Sequence, residues 1–454
     1  MSLFLQIFII ICFLIIIIAL FREKTDFLAY SMASMLAAAT ATYIFFLDSP
    51  TPITLENFFL AIDWPVIFFL ISMFTIVAIL EDKRIFNEIA LRITKKFSTN
   101  TRKFFWVICL ISTISAAFIE DISVAVIFIP MIISTSEKMR INPTPILLGV
   151  TICINLAATL TPFGSAQNVL IANEFLLTTN WFFISLGIFF VIGVLTTLFL
   201  LDQFFLKKHL KDIWVPHCVE YEEPVDSEHL KEHELVIMEE PISSKVFYKN
   251  LIALLTFFVL LIAIPNIVFV GIFGMLMFVF INPRRKESGR KQPDISHYLK
   301  EVDFKLIFFF ICLFILVYCF EVAGIIGIFE DFINLFAPSN IFLLSILILV
   351  LTSILSGFLD NVPVTVIFIP IIHLLISSGF ASTPLIIAFI LGINLGGNFL
   401  PQGSAADMMT LELSTKYCVD GMNYKKLLKV GGLFALFHII LGIGYLAIIT
   451  FLFF

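Results

Sequence analysis

The twelve residues 119–130, IEDISVAVIFIP, return at 359–370 as LDNVPVTVIFIP. Each copy sits at the centre of a long apolar block, 104–135 or 342–376, and puts two polar residues there: Glu120-Asp121 in the first, Asp360-Asn361 in the second. On either side of those centres only some 15 to 18 residues remain, whereas a helix needs about 20 apolar residues to cross a bilayer. Arms that short predict two helical hairpins, each entering and leaving by one face. Carboxylates and non-helical backbone at membrane depth are tolerated only inside protein or beside water, so both tips are expected to face a protein cavity. Two full spans joined by an exposed turn is the other reading of the same blocks.

The correspondence extends outward from these segments. DWPVIFFL at 63–70 parallels DFKLIFFF at 303–310, and Glu81 parallels Glu321, at the same offset of 240. The offset then falls to 239, where NLAATLTPFGSAQN at 155–168 lies over NLGGNFLPQGSAAD at 394–407. An internal repeat of this length divides the chain into a first half, 1–206, a Glu-rich polar linker, 207–246, and a second half, 247–454.

Composition sets the medium. Of 454 residues 60% are hydrophobic, against roughly 45–50% in a soluble domain; 54 are Phe, 14% are charged, and the mean hydropathy is +1.06. A soluble globular fold is excluded. The remaining apolar blocks run 3–21, 27–47, 64–80, 146–172, 181–206, 247–281, 304–320, 384–411 and 427–454. As one helix, 247–281 would be about 50 Å long, against a hydrocarbon layer of about 30 Å, and Pro265-Asn266 divides it into two. The expected fold is therefore an all-α polytopic membrane protein with about ten transmembrane helices plus two re-entrant hairpins. Five spans per half make the two repeats inverted.

With the N- and C-termini outside, all 28 Lys and Arg fall in cytoplasmic segments, the linker included, as the positive-inside rule requires. The first hairpin, 104–135, is then cytoplasmic, flanked by Arg102, Lys103, Lys138 and Arg140. The second, 342–376, is external, because 306–415 holds no Lys or Arg. The first apolar block lacks a basic n-region and a cleavage site, so it reads as a retained helix of a multi-pass plasma-membrane protein. In 82–103, Ile85, Ile89, Ile93 and Phe97 recur every four residues while the basic residues take other faces, which predicts a helix lying in the interface; 322–337 parallels it.

Several function classes drop out. No basic surface points to nucleic acid, and without a GxxxxGK[ST] loop ATP does not drive the chain directly; an ATPase partner has no support in the sequence. The seven cysteines form no C-x-x-C pair and read as small buried hydrophobes, and the His229/His233 pair in the linker lacks further ligands. No cofactor is expected. An intramembrane aspartyl protease would need a G-x-G-D context, which neither Asp121 nor Asp360 has. Inverted repeats with broken helices and polar groups at the midplane are the architecture of an alternating-access transporter rather than of an enzyme or passive channel.

The breaks are Thr161-Pro162-Phe163-Gly164-Ser165 in block 146–172 and Pro401-Gln402-Gly403-Ser404 in block 384–411, where Pro removes a donor and Gly permits a turn. Around them the candidate ion or substrate ligands are Glu120, Asp121, Asn155, Thr161, Gly164, Ser165, Gln167 and Asn168 from the first half. The second half offers Ser356, Asp360, Asn361, Asn394, Asn398, Gly403, Ser404 and Asp407. A carboxylate at the bilayer centre costs at least about 2.5–3.5 kcal/mol, so Glu120, Asp121, Asp360 and Asp407 are expected to have a task. The plainer alternatives are hairpin caps for the acids and helix-to-helix glue for the amides and hydroxyls. Pro130 and Pro370 read as kinks, and His373 and His438 as packed or water-bonded single histidines, with a place in a proton path as the other reading of His373.

The tips and breaks resemble the ion-transporter superfamily, which includes arsenite permeases, NhaD-type sodium/proton antiporters and citrate and dicarboxylate carriers. D-N-V-P at 360–363 and G-G-N-x-x-P-x-G-S-A-A at 396–406 match the arsenite and NhaD-type branches, and the likeness covers roughly 60–430. The resemblance implies an elevator mechanism, with hairpins and broken helices moving against a scaffold that dimerises. It also implies Na+ ligation at Asp121, Asn155, Asp360 and Asn361, with Ser356 standing five residues before the second-tip Asn. One departure is Ser165, where the antiporter pattern has Asp, followed by Gln167 and Asn168 in place of hydroxyl residues. The leading expectation is Na+(Li+)/H+ antiport with Na+ or H+ as coupling ion. The alternative is proton- or sodium-coupled transport of arsenite or another oxyanion, or of citrate or a dicarboxylate.

Overall fold

A computed structural model describes residues 3–20, 26–50, 52–97, 100–119, 121–209, 242–264, 266–285, 291–325, 327, 340–359, 361–419 and 421–453. Those residues are nearly all helical. In the first half the helices are α1 (Leu3–Leu20), α2 (Phe27–Phe45), α3 (Leu55–Leu60), α4 (Trp64–Asp82), α5 (Ile85–Phe97), α6 (Thr101–Ala116), α7 (Asp121–Met139), α8 (Thr144–Ala157), α9 (Ala166–Glu174) and α10 (Thr179–Leu201). The second half contributes α11 (Ser244–Ala263), α12 (Ile267–Ile281), α13 (Ile295–Leu299), α14 (Phe304–Val322), α15 (Ile341–Phe358), α16 (Asn361–Ser377), α17 (Ser382–Gly396), α18 (Ala405–Lys416) and α19 (Tyr424–Phe453). Eight helices are long and apolar enough to cross a membrane, and further apolar helices are shorter.

The repeat is written into the helix starts. Asp26 caps α2 and Asn266 caps α12; Asp63 caps α4 and Asp303 caps α14; Asn100 caps α6 and Asn340 caps α15. Each pair is separated by 240 residues, and in each the side-chain oxygen takes a backbone N–H of the first turn at 2.8–3.2 Å. A cap of this kind contributes about 1 kcal/mol and fixes where the helix begins.

The helices pack as two bundles. In the first, α4 lies against α12 and α2 against α14, two contacts that exchange under the repeat, with α1 and α11 packed outside them. In the second, the hairpins α6–α7 and α15–α16 embrace the broken helices α8–α9 and α17–α18, and α10 and α19 close the back. Hairpin 1 sends its second arm, α7, against α18 of the other half; hairpin 2 sends α16 against α9. Between the bundles run the amphipathic α5, which touches α4, α6, α7 and α11, and the α4–α9 and α14–α16 contacts.

The block 247–281 is divided as expected, with α11 ending at Ala263 and α12 starting at Ile267; Pro265 itself lies outside the described residues. So do the linker with His229 and His233, and most of 322–337. Pro130 and Pro370 both lie inside helices, α7 and α16. Some details were not anticipated. α10 ends in a π turn, Asp202–Leu206, because the buried Asp202 carboxylate is drawn to Arg102 Nε at 2.6 Å and Trp106 Nε1 at 2.9 Å. Arg284–Arg285 and Lys291–Gln292 pair as a two-residue antiparallel ribbon. Five cysteines, Cys12, Cys109, Cys153, Cys312 and Cys319, are buried free thiols as expected, but Cys418 is disulfide-bonded, a correction to the reading of all seven as hydrophobes.

Candidate functional site

The two broken helices meet at the centre of the second bundle, and the polar residues of each break bond across to the other half. Asn155, at the end of α8, is 2% exposed and donates Nδ2 to Asn398 Oδ1 at 2.8 Å and to Asp407 Oδ1 at 3.1 Å. Its own Oδ1 accepts from Ser404 Oγ at 2.7 Å. Asn394, its counterpart at the end of α17, donates Nδ2 to Asn168 Oδ1 at 3.0 Å and accepts from Gln167 Nε2 at 3.1 Å. Residues 155 and 394 are repeat equivalents, as are 168 and 407. The Asn155–Asp407 and Asn394–Asn168 contacts are therefore the same contact made twice, once with a carboxylate and once with an amide.

Each break is clipped to the hairpin tip of its own half. Thr161 Oγ1 donates to the Ala117 carbonyl and accepts from Gly164 N at 2.9 Å. Ser356 Oγ donates to the Ile393 carbonyl at 2.6 Å and lies in hydrogen-bond contact with Asn361 Oδ1. The glycines make the approach possible. A Cβ on Gly164 would stand 2.9 Å from Ala117 O, and one on Gly403 2.9 Å from Gly357 O. Both would meet backbone, which cannot swing aside.

Ser165 and Ser404 are the N-caps of α9 and α18, yet neither side chain caps its own helix. Ser404 is spent on Asn155, and Ser165 Oγ, 6% exposed, has no partner among the described residues. The positive ends of two helices thus open onto the polar core. Asp407, in the first turn of α18, is fully buried, and its Oδ2 has no hydrogen-bond partner among the described residues. Asp121 opens α7, which packs alongside α18, and Asn361 opens α16, which packs alongside α9. Glu120 and Asp360 lie outside the described residues.

Thr151 and Thr410 were not singled out from the sequence, although their hydroxyls bond each other at 2.8 Å between α8 and α18. The signal was available: each is one helical turn from a site residue, Asn155 or Asp407, on the same helix face. His373 is not simply packed. Its Nε2 lies 3.0 Å from Glu174 Oε1 and its ring stacks on Phe175 at 4.5 Å, joining α16 to the end of α9. His438 is buried as expected and bonds Thr197 at 2.7 Å.

The hydrogen-bond partners of the core are amides, hydroxyls, backbone carbonyls and one carboxylate; none of the ion pairs among the described residues enters it. No described group of three His, Cys, Asp or Glu is placed to hold a metal ion in the manner of a resident metal site. Such a core can bind and release a small ion or polar solute. The hydrogen bonds given for its described residues pair no nucleophile with a base.

The comparisons with known proteins point the same way. A 46 kDa membrane protein of Mycobacterium leprae is 24% identical over 360 residues, covering 78% of this chain and 79% of that one. An uncharacterized transporter of Methanocaldococcus jannaschii is 26% identical over 386 residues, covering 85% and 89%. The solved structure of Neisseria gonorrhoeae MtrF, described as illuminating a class of antimetabolite efflux pumps, superposes with a TM-score of 0.57 at 12% identity over 99% of this chain and 94% of that one, a likeness of fold. The family model described as CitMHS, citrate transporter, matches residues 11–393. This chain belongs to the CitMHS citrate transporter family and is a multi-pass membrane transporter.

Proposed function

We propose that this transporter exchanges Na+ or Li+ for protons across the plasma membrane, moving its second bundle as a unit against the first. The observation that carries the reading is the reciprocal pairing of Asn155 with Asn398 and Asp407, and of Asn394 with Gln167 and Asn168. A site shared by two repeats, with broken backbone and oxygen ligands, is what alternating access to a small ion requires. Hard cations favour such oxygens, and a carboxylate among them supplies the compensating charge. The positive-inside rule supports taking the segments that hold the Lys and Arg as cytoplasmic.

The test is purified protein in liposomes with an imposed pH gradient and an interior pH dye. Na+ and Li+ are expected to dissipate the gradient and K+ to leave it, with the response lost in Asp121→Asn. A second reading, coupled transport of citrate or a dicarboxylate, is favoured by the two helix N-termini of α9 and α18 that open onto the core without side-chain caps, since such termini attract anions. Tracer citrate uptake without any response to cations would select it.

A further inference from the structure

We infer that the coupling cation occupies one of the two pseudo-equivalent half-sites only, the one where α7 and α18 begin, with Asp407 as its charge-bearing ligand and Asn398 and Ser404 beside it. This rests on the cation-exchange reading above.

The repeat supplies the comparison. At one half-site the first turns of two helices packed side by side carry Asp121 and Asp407; at the other, the equivalent positions carry Asn361 and Asn168. Helices α7 and α18, which pack side by side, come from different halves, and so do α16 and α9. One pair is anionic and its equivalent is neutral.

Hydrogen bonding separates them further. Asn168 is saturated: Oδ1 accepts from Asn394, and Nδ2 donates to Thr161 O at 3.0 Å and to the Ala158 carbonyl. Asn394 is also satisfied, by Asn168, Gln167 and Ile390 O. Asp407 is not. Asn155 Nδ2 reaches Oδ1 alone, leaving Oδ2 buried and bare among the described residues. Burying a carboxylate costs several kcal/mol unless it is paired. In this core the polar neighbours that the Asn155 amide gathers around it, Asn398 Oδ1 and Ser404 Oγ, are themselves oxygens. Neither reaches Oδ2 among the described residues, which leaves that oxygen to a cation or a proton. A buried carboxylate beside amide and hydroxyl oxygens, with no Lys, Arg or His bonded to it among the described residues, fits a small cation.

The experiment is thermal unfolding of the detergent-purified full chain as NaCl or LiCl replaces choline chloride at fixed ionic strength. Wild-type protein is expected to gain thermal stability with saturating Na+ or Li+. Asp407→Asn is expected to weaken the apparent cation affinity at least tenfold, more than Asn168→Ala at the neutral half-site, while Gly187→Ala on α10, away from both half-sites, keeps it within about twofold. Should Asp407→Asn fail to fold, Asn398→Ala serves in its place, with a severalfold loss expected. Wild-type affinity in both Asp407→Asn and Asn398→Ala, or a loss confined to Asn168→Ala, would overturn the assignment while leaving cation exchange intact. Absence of any Na+ or Li+ response in wild-type protein would overturn the exchange reading and this inference with it.

Discussion

Gly164 and Gly403 occupy equivalent places, and each admits a hairpin-tip carbonyl where a Cβ would stand. Gly164→Ala and Gly403→Ala are therefore expected to destabilise the protein by about 1–3 kcal/mol, the usual cost of overpacking, and to stop transport. Gly187, on α10, has nothing within 4 Å of its would-be Cβ, so Gly187→Ala is the control and should leave both properties unchanged. Unfolding and liposome flux measured side by side decide it; equal behaviour of the three variants would defeat the argument. These glycines were legible in the sequence because T-P-F-G-S and L-P-Q-G-S align. Their neighbours were not, because Ala117 and Gly357 are met through backbone oxygens, which no side-chain pattern reports. The same holds for Asn155 and Asp407, 252 residues apart: the sequence marks both as polar in apolar helices, and only the packing of α8 on α18 makes them partners.

Two elements show how ends are held. At the foot of hairpin 1, Arg102 is 55% exposed but its Asp202 partner on the π turn is 2% exposed. Arg102→Ala would leave Asp202 with Trp106 alone, so a loss of about 1–3 kcal/mol is expected, the cost of an under-satisfied buried acceptor. Adding Asp202→Asn should recover part of it, and a double-mutant cycle measured by chemical unfolding reads the coupling directly. Neither the pair nor the π turn could be read from the chain, because Asp202 follows an uninterrupted apolar run and its partner lies 100 residues back. At the head of α4, Asp63 accepts from Val66 N at 3.2 Å and from Asn173 Nδ2 at 2.7 Å. Burial raises its carboxyl above the ordinary value, and the charge of Glu174 adds to this against those two bonds. A carboxyl so raised binds its proton more tightly folded than unfolded. Its stabilising share is complete below the ordinary Asp value of about 3.9 and is lost as pH rises through the folded value. Asp63→Asn keeps the cap through its one carbonyl oxygen, turns an amide N–H toward Asn173, whose side-chain oxygen can accept it, and does not titrate, so its melting temperature should vary less with pH above about 4 than that of wild-type protein. Identical pH profiles would show that the raised carboxyl has no energetic consequence.

On the scale of the whole molecule, the Asp63–Asn173 bond matters for a second reason: it runs from the first bundle to the second. The sequence announces the two repeats, through caps and breaks spaced by 240 and 239 residues, but not the two bundles, since each bundle takes helices from both repeats. What divides the molecule is which faces fit. The hairpins and broken helices interlock through Thr161, Ser356 and the amide pairs, whereas the polar bonds between bundles among the described residues are few, Asp63–Asn173, Thr179–Leu261 and Glu81–Ser123, beside the packing of α4 on α9 and α14 on α16. An interface with so little polar interlocking can slide, while the interior of the second bundle cannot shift without uncapping buried amides and carbonyls, each costing about 1–3 kcal/mol. The second bundle is therefore expected to move as one body. Spin labels at Glu56 on α3 and Ser378 after α16, both exposed and on different bundles, should change separation by more than about 5 Å, one helical turn, between Na+ and Na+-free conditions. Labels at Asn180 on α10 and Ser378, both on the second bundle, should hold their separation, with native cysteines replaced in each case. If the Asn180–Ser378 distance changes as much as the Glu56–Ser378 distance, the second bundle is not a rigid carrier, and the site assembled from Asn155, Asn398, Ser404 and Asp407 would have to open by local rearrangement instead.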